Sequence, residues 1–476
     1  MALYVGAASP LTRVFVDNSV PSARIIRAVV RQIGFALVSE PICADVCMVN
    51  VPVADKLSCC PGTNFSVQGL AATFDVQRIS SLEHYQRRSG RVDALGRSFA
   101  VSADHCEKSE TLHLCASTLF RLLLSNGVDA RFLWWFPNAA RGVVNYRVDV
   151  DDNSANSFDC VEQWLHRYMS WCSLYFTTSC FTNALDGINR SRDAGAEIGS
   201  HCHYHYTFER DPATNAKNLL TSIEFLRRHG CDVSGAVMPS GKSFHGIARV
   251  MAESDILYTS NFGLIFDSLP IELSDGTTTH LEVPCHPVAP GNVIKASADL
   301  IGIDDYLIAY YMATASHLCD AFLPIFIYGH NNDTVNIGIL PRLLDELIAS
   351  FPDHEFVRLD EYAAFWRDRL NSLADPHQTG LVCNMATIHH QSPDVVSIKG
   401  RTKDKTWPLS IEKLFRSPLS FAGVGARKPR LRDRLADRYE LETVLPISAL
   451  SLATHQGWKS AVYKLAYLVV RALFRR

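Results

Sequence analysis

His201 and His205, in the run EIGSHCHYHY from Glu197 to Tyr206, are the pair whose type and spacing best suit chemistry. Neutral imidazole is the commonest protein ligand for zinc-like metals, and residues four apart on a helical turn face the same way. His203 lies between them, so a strand would instead align alternate residues on one face. In a chain with 18 histidines such a pair also arises as a hydrogen-bonded or solvated cluster, and its company has to decide. Upstream, VVNYRVDVDD from Val143 to Asp152 alternates like a buried strand and ends in Asp149, Asp151 and Asp152. Downstream, LPIFIYGHNND from Leu323 to Asp333 is a run of β-formers that delivers His330 at its carboxyl end. Taken alone, the acids read as a solvated turn or a helix cap at Asp152-Asn153-Ser154, and His330-Asn331-Asn332 as a plain turn.

The elements that must position these groups alternate along the chain. SLYFTTS reads as a strand, Leu185–Ala194 as a helix, EIGSH as a strand, and Ala213–His229 as a helix with Leu219, Leu220, Ile223 and Leu226 on its apolar face. Such alternation predicts a (β/α) barrel, which places chemistry at the carboxyl ends of its strands. Ahead of it, a helix over Pro21–Gly34, strands at FALVSE and ADVCMVNVP, and a second cycle of SFAVSAD with Leu112–Leu124 predict a smaller α/β domain with a parallel sheet over residues 1–140. No glycine-rich phosphate loop occurs there, so nucleotide binding has no support.

Over roughly Gly142 to Arg369 the order of these motifs resembles the polysaccharide deacetylase family, the NodB-like hydrolases of carbohydrate esterase family 4. The resemblance implies an α/β fold with a distorted seven-stranded (β/α) barrel over residues 141–370. It implies Asp149 as general base and Asp151 as metal ligand, with Asp152 the competing assignment. GAEIGSHCHYH is similar to the family's second motif and puts His201 and His205 on the metal, with Cys202 in place of the usual hydroxyl residue. AVMPSG, from Ala236 to Gly241, looks like a relaxed third motif: Pro239 and Gly241 are kept, and Ser240 would stabilise an oxyanion through its backbone amide. The family arginine that orients the base falls at Val237, and its usual acidic partner is not identifiable. Arg147, on the same strand face as Asp149, and Lys242 are the substitutes to consider. IYGH resembles the fifth motif and implies His330 as general acid.

Those types suit hydrolysis of an amide on a sugar. A divalent metal, zinc first with cobalt or manganese as alternatives, polarises a carbonyl and acidifies water; a carboxylate takes a proton, and a histidine protonates the departing amine. The activity implied is a carbohydrate N-deacetylase, with deformylation as a close variant, acting on an amino-sugar glycan in bacterial surface-polysaccharide assembly. The alternative is a catalytically degenerate barrel serving as a glycan-binding or scaffolding module, because of Val237 and Cys202. Cys285 and His286, in LEVPCHPVAPGN, are ligand types in a proline-bounded segment and read as loop residues.

At 476 residues, with 47% hydrophobic and 20% charged residues, the chain has the composition of an ordinary globular protein of more than one domain. Its 14 cysteines follow no disulfide-like regularity and read as reduced core thiols, which, with no basic-then-apolar leader at the start, predicts a cytoplasmic protein. No run approaches a membrane span. The last region, 371–476, reads as a basic, partly helical extension: from Lys399 to Arg476 there are 17 Lys and Arg against 6 Asp and Glu, in a chain of net charge −3. Trp458, Val462, Leu465, Val469 and Leu473 fall on one helical stripe opposite Lys464, Arg471 and Arg475, as in a helix lying on an anionic membrane surface or capping the protein's own core. A membrane-surface helix would suit a lipid-linked substrate at the inner face of the cell membrane. Nucleic acid is not the expected partner, since the basic runs lack interleaved aromatics and match no recognition module.

Overall fold

The strand Gly142–Val150 is buried along its whole length, and its sequence explains how a buried strand can be half polar. Val144, Tyr146, Val148 and Val150 point to one face and Asn145, Arg147 and Asp149 to the other, the period-2 alternation of a pleated strand. Burying each large apolar side chain contributes about 1.5–3 kcal/mol, and the polar face needs internal partners. Asn145 finds them by donating to the Trp171 carbonyl at 2.9 Å and to Ser173 Oγ at 3.1 Å.

These elements come from a computed structural model, which describes residues 11–16, 18, 23–39, 46–48, 88–103, 106–152, 157–182, 185–207, 212–244, 246–262, 265–274, 278–296, 302–331, 339–374, 384–400 and 403–419. Gly142–Val150 lies inside a nine-stranded sheet. Running outward on one side come Cys172–Phe176, Glu197–Ser200, Gly235–Ala236, Tyr258–Thr259 and Thr279–Glu282, all parallel, then Ile271–Ser274 antiparallel at the edge. Ile325–His330 pairs parallel with Gly142–Val150, and the short His354–Phe356 joins the start of that strand. Eight of the nine strands thus run parallel, seven of them in one continuous order with His354–Phe356 as a branch, and the order is open rather than a closed ring among the described residues. The helices Leu185–Asp193 and Pro212–Arg228 fall where the apolar spacing predicts them.

Outside that sheet, the N-terminal reading is partly met. The helix Ala23–Ile33 and the parallel strands Arg13–Val16, Ala36–Leu37 and Val46–Met48 form a small α/β layer. The second cycle differs: SFAVSAD lies in the strand Arg97–Ala103, which pairs antiparallel with Arg88–Ala94 through the tight turn at Leu95-Gly96, a hairpin and not a parallel addition. Trp135 Nε1 donates to the Ile33 carbonyl at 2.8 Å and Arg369 Nη1 to the Arg31 carbonyl at 3.3 Å, so an aromatic side chain just before Gly142 and an arginine of the helix Leu359–Ala374 hold the end of the helix Ala23–Ile33.

The end of the barrel at residue 370 falls inside the helix Leu359–Ala374. Beyond this helix the described residues 384–400 and 403–419 carry three strands. Met385–His389, Ser392–Lys399 and Lys405–Pro408 form an antiparallel sheet that docks on Ala130–Leu133. Alternation of Ala386 and Ile388 with more open neighbours, and of Val396 with Ile398, buries one face of it. The basic amphipathic stretch 458–476 lies outside the described residues, and among those described no helix is long and apolar enough to cross a membrane. Cys115, Cys172, Cys202, Cys231 and Cys285 are buried free thiols, as their irregular spacing predicts.

Candidate metal centre and active site

Three of the parallel strands deliver the ligand types at their carboxyl ends. Asp151 follows Val150 directly, and His201 follows Ser200. His330 ends its own strand in register with Asp149, and paired residues of parallel strands share a face. Odd positions of the Asp149 strand face the polar interior, so Asp151 continues toward the site. Asp151, His201 and His205 place one ligand atom each within 4.8 Å of the others; Asp152 stands outside this group. Asn331 sets the carboxylate's backbone: its Oδ1 accepts the Asp151 N–H at 3.2 Å and its Nδ2 donates to the Asp152 carbonyl at 2.8 Å.

The histidines do not converge by helical or strand geometry. Residues 201–207 have no regular secondary structure, and Cys202 takes φ 68°, a left-handed conformation that bends the chain between the ligands. Cys202 itself is buried, its thiol beside Met238 Sδ at 3.9 Å and its pKa pushed up by burial, and it is no member of the ligand group. His201 Nδ1 donates to the Val237 carbonyl at 2.9 Å. That donation places the ring's one proton on Nδ1 whenever the imidazole is neutral, and Nε2 is then free to bind a cation.

His201 Nε2 lies 3.3 Å and His205 Nε2 3.2 Å from Asp151 Oδ1. This oxygen is buried yet has no aligned hydrogen-bond partner. Two imidazole nitrogens thus close on one carboxylate oxygen without an aligned hydrogen bond, an arrangement that a cation between them would satisfy. Two imidazoles and a carboxylate are a donor set that fits zinc-like divalent metals. Burial opposes charge at both Asp151 and His205. At Asp151 the charges of the nearby His205 and His330 outweigh it and hold the carboxyl well below the usual carboxylate range. The Asp151 carboxylate in turn holds His205 above an ordinary histidine.

Asp149 is the second carboxylate, with a side chain 4% exposed. Arg147, two residues earlier on the same strand face, grips it bidentately: Nε donates to Oδ1 at 2.8 Å and Nη2 to Oδ2 at 2.7 Å. The remaining nitrogen, Nη1, donates to the Ser260 carbonyl at 2.5 Å, its hydroxyl at 3.0 Å, and Cys285 Sγ at 3.3 Å. Tyr328 lies under the guanidinium, 4.9 Å to the ring centroid. Burial works against the Arg147 cation, but Asp149 dominates and holds its pKa above the ordinary arginine value. Val237 leaves a buried apolar side chain where a charge is absent, and Arg147 brings a guanidinium to Asp149 from the same strand instead.

The turn Pro239–Gly241 comes after the short strand Gly235–Ala236; Pro239 and Gly241 are buried and Ser240 is partly open, at φ 61°. Gly241 also needs a positive φ, and a Cβ there would meet the Phe262 ring at 2.5 Å, so the turn is built for glycine. Cys285 and His286 do lie in a loop, but both are buried and engaged: Cys285 with Arg147, His286 through Nδ1 with Asp267 at 3.0 Å and through Nε2 with the Tyr310 hydroxyl at 2.9 Å. Sequence reasoning missed Ser260, which accepts from the Arg147 side chain, and Asn331 and Asn218, whose side chains contact distant backbone. The one local signal was Asn331, next to His330.

No family model matches the chain, and no curated protein does. Solved structures similar to it include a Mycobacterium smegmatis protein assigned as a polysaccharide deacetylase, with 18% identity, covering 50% of this chain and 94% of that one, at a TM-score of 0.43. A Pseudomonas aeruginosa PAO1 protein with the same assignment shows 14% identity over 48% of this chain and 92% of that one, at 0.42. The PuuE allantoinase shows 16% identity over 49% of this chain and 92% of that one, also at 0.42. At these TM-scores the likenesses add no weight to a functional reading, which rests on the side chains.

Proposed function

We propose that the chain is a metal-dependent hydrolase that removes an N-acyl group, acetyl in the first instance, from an amino sugar of a glycan. The observation that carries this is the meeting of His201 Nε2 and His205 Nε2 on Asp151 Oδ1, a buried oxygen with no aligned hydrogen bond, beside the second carboxylate, Asp149, held by Arg147. His201, His205 and Asp151 would hold a divalent cation, zinc by donor type, which supplies Lewis acidity to an acyl carbonyl and to water. Asp149 accepts the proton of the attacking water. The Ser240 amide binds the developing oxyanion. His330 gives its proton to the nitrogen as the carbon–nitrogen bond breaks, since an amine leaves only when protonated.

The motif order and Arg147 at Asp149 support turnover over a purely glycan-binding module. The setting proposed is the cytoplasmic assembly of bacterial surface polysaccharide, with formyl in place of acetyl as the variant to compare. The test is metal content of the purified protein and release of acetate or formate from N-acylated amino sugars with zinc or cobalt added. Stoichiometric metal and metal-dependent release are expected. Protein without divalent metal that releases neither acid from those substrates sinks the reading.

A further inference from the structure

The His201–Tyr206 loop has no helix or strand to hold it, yet it must bring two imidazoles to one carboxylate oxygen. Asn218, on the helix Pro212–Arg228 and only 4% exposed, contacts the loop on both sides of His205. Its side-chain Oδ1 accepts the Tyr204 N–H at 2.8 Å, while Nδ2 donates to the Tyr204 carbonyl at 2.8 Å and the Tyr206 carbonyl at 3.2 Å. Its own backbone carbonyl accepts the His203 N–H at 3.1 Å. The amide thus closes on both backbone groups of Tyr204 and reaches across His205 to the next carbonyl. Asparagine is the side chain that does this: aspartate lacks the two donors, and serine or alanine lacks the reach.

The opposite side of the loop is held by backbone amides. Thr178 N–H donates to the Cys202 carbonyl at 3.1 Å and Ser179 N–H to the His203 carbonyl at 2.8 Å. Removing the Asn218 amide takes the side-chain acceptor from the Tyr204 N–H and the donor from the Tyr204 and Tyr206 carbonyls, leaving the Tyr206 N–H to Tyr204 carbonyl bond within the loop, so the loop relaxes about the remaining anchors and His205 leaves its place. We infer that Asn218 is a positioning residue that holds residues 203–206 in the conformation presenting His205, beside His201, to a divalent cation. This rests on the reading of Asp151, His201 and His205 as a metal site.

Zinc and cobalt binding by calorimetry, the absorption bands of bound cobalt, and deuterium exchange of the 203–206 amides test it in wild type, Asn218→Ala and the near-isosteric Asn218→Asp. Far-UV circular dichroism and thermal unfolding report whether each variant folds; Asn218→Asp keeps the volume if Asn218→Ala does not. The expected result is wild-type binding, weakened about 10–100-fold in a folded variant, as loss of outer-shell contacts typically does. Altered cobalt bands and faster exchange confined to the loop should accompany it. Wild-type protein that binds metal, with folded variants that bind within twofold and show unchanged exchange, overturns the role of Asn218 and leaves the metal site standing. Wild-type protein that binds neither metal overturns both.

Discussion

Replacing Arg147 by methionine would remove the guanidinium while keeping an unbranched stem, and its cost follows from what is left behind. Asp149, with a side chain 4% exposed, loses both bidentate contacts, and Ser260 and Cys285 lose their shared donor. Breaking a buried ion pair from one side typically costs about 3–5 kcal/mol, because the surviving charge has neither water nor partner. At about 2–4 °C per kcal/mol for a cooperative unit of roughly 150–250 residues, the midpoint should fall by about 6–20 °C. Urea and thermal unfolding of Arg147→Met, Asp149→Leu and the double variant form the assay. Replacing both partners by apolar groups removes the orphaned charge, so the double variant should return to within about 2 kcal/mol of wild type, a coupling of several kcal/mol. Stability and activity should part company there. The double variant lacks the base proposed at Asp149 and should lose about 10²–10⁴ in kcat while folding nearly as well as wild type. Strictly additive destabilisation, or an Arg147→Met protein within about 1 kcal/mol of wild type, would refute the argument that a buried pair holds Asp149.

Asp151→Asn should abolish the thermal shift that added zinc produces, whereas Asp152→Asn should retain it; a shift of about 2.7 kcal/mol equivalent is expected at metal about 100-fold above its dissociation constant. Equal loss in both would return Asp152 to the ligand set. His330→Gln should lower kcat by about 10²–10⁴ on amide substrates and much less on an activated ester of the same sugar, because a good leaving group needs no proton; an equal loss on both argues against the acid role. Glu197 gives a pH prediction. Burial first, then the nearby Asp360 charge, raise its pKa to about 8, against the pull of the Tyr258 hydroxyl that donates to Oε1. Its folded value lies above an unfolded value of about 4.3, so its contribution is complete below that pH and is lost as pH rises toward about 8, at up to ~1.4 kcal/mol per pH unit. Glu197→Gln, which does not titrate, should remove that slope from unfolding free energies measured between about pH 5 and 8; parallel curves for variant and wild type would discount it.

What was legible in the sequence was local. The alternation of Val144 to Val150 marks a strand whose polar residues share a face, while the choice between Asp151 and Asp152 stayed open until the fold put Asp151 with the histidines. The order of acid, histidine pair and lone histidine, and the helices between them, follow from periods of 2 and 3.6 that need no tertiary contact. The same alternation put Arg147 beside Asp149 as a candidate, but only the fold brings Ser260 and Cys285 to fix its fork. The histidine spacing pointed to one ion through a helical turn; the chain reaches that convergence by a loop bent at Cys202 and clamped by Asn218, 13 residues beyond His205 in sequence and in contact with the backbone on both sides of it in space. The strand Arg97–Ala103 was read as part of a parallel layer and lies in a hairpin with Arg88–Ala94; the docking of Met385–His389 on Ala130–Leu133 had no local signal, since strand partners are chosen across the chain. The sequence by itself determined which chemical groups stand at the ends of which strands, because residue type and side-chain direction are properties of a few neighbouring residues. Only the tertiary structure decided which of those groups touch, because hydrogen-bond partners and buried ion pairs are set by segments tens to hundreds of residues apart.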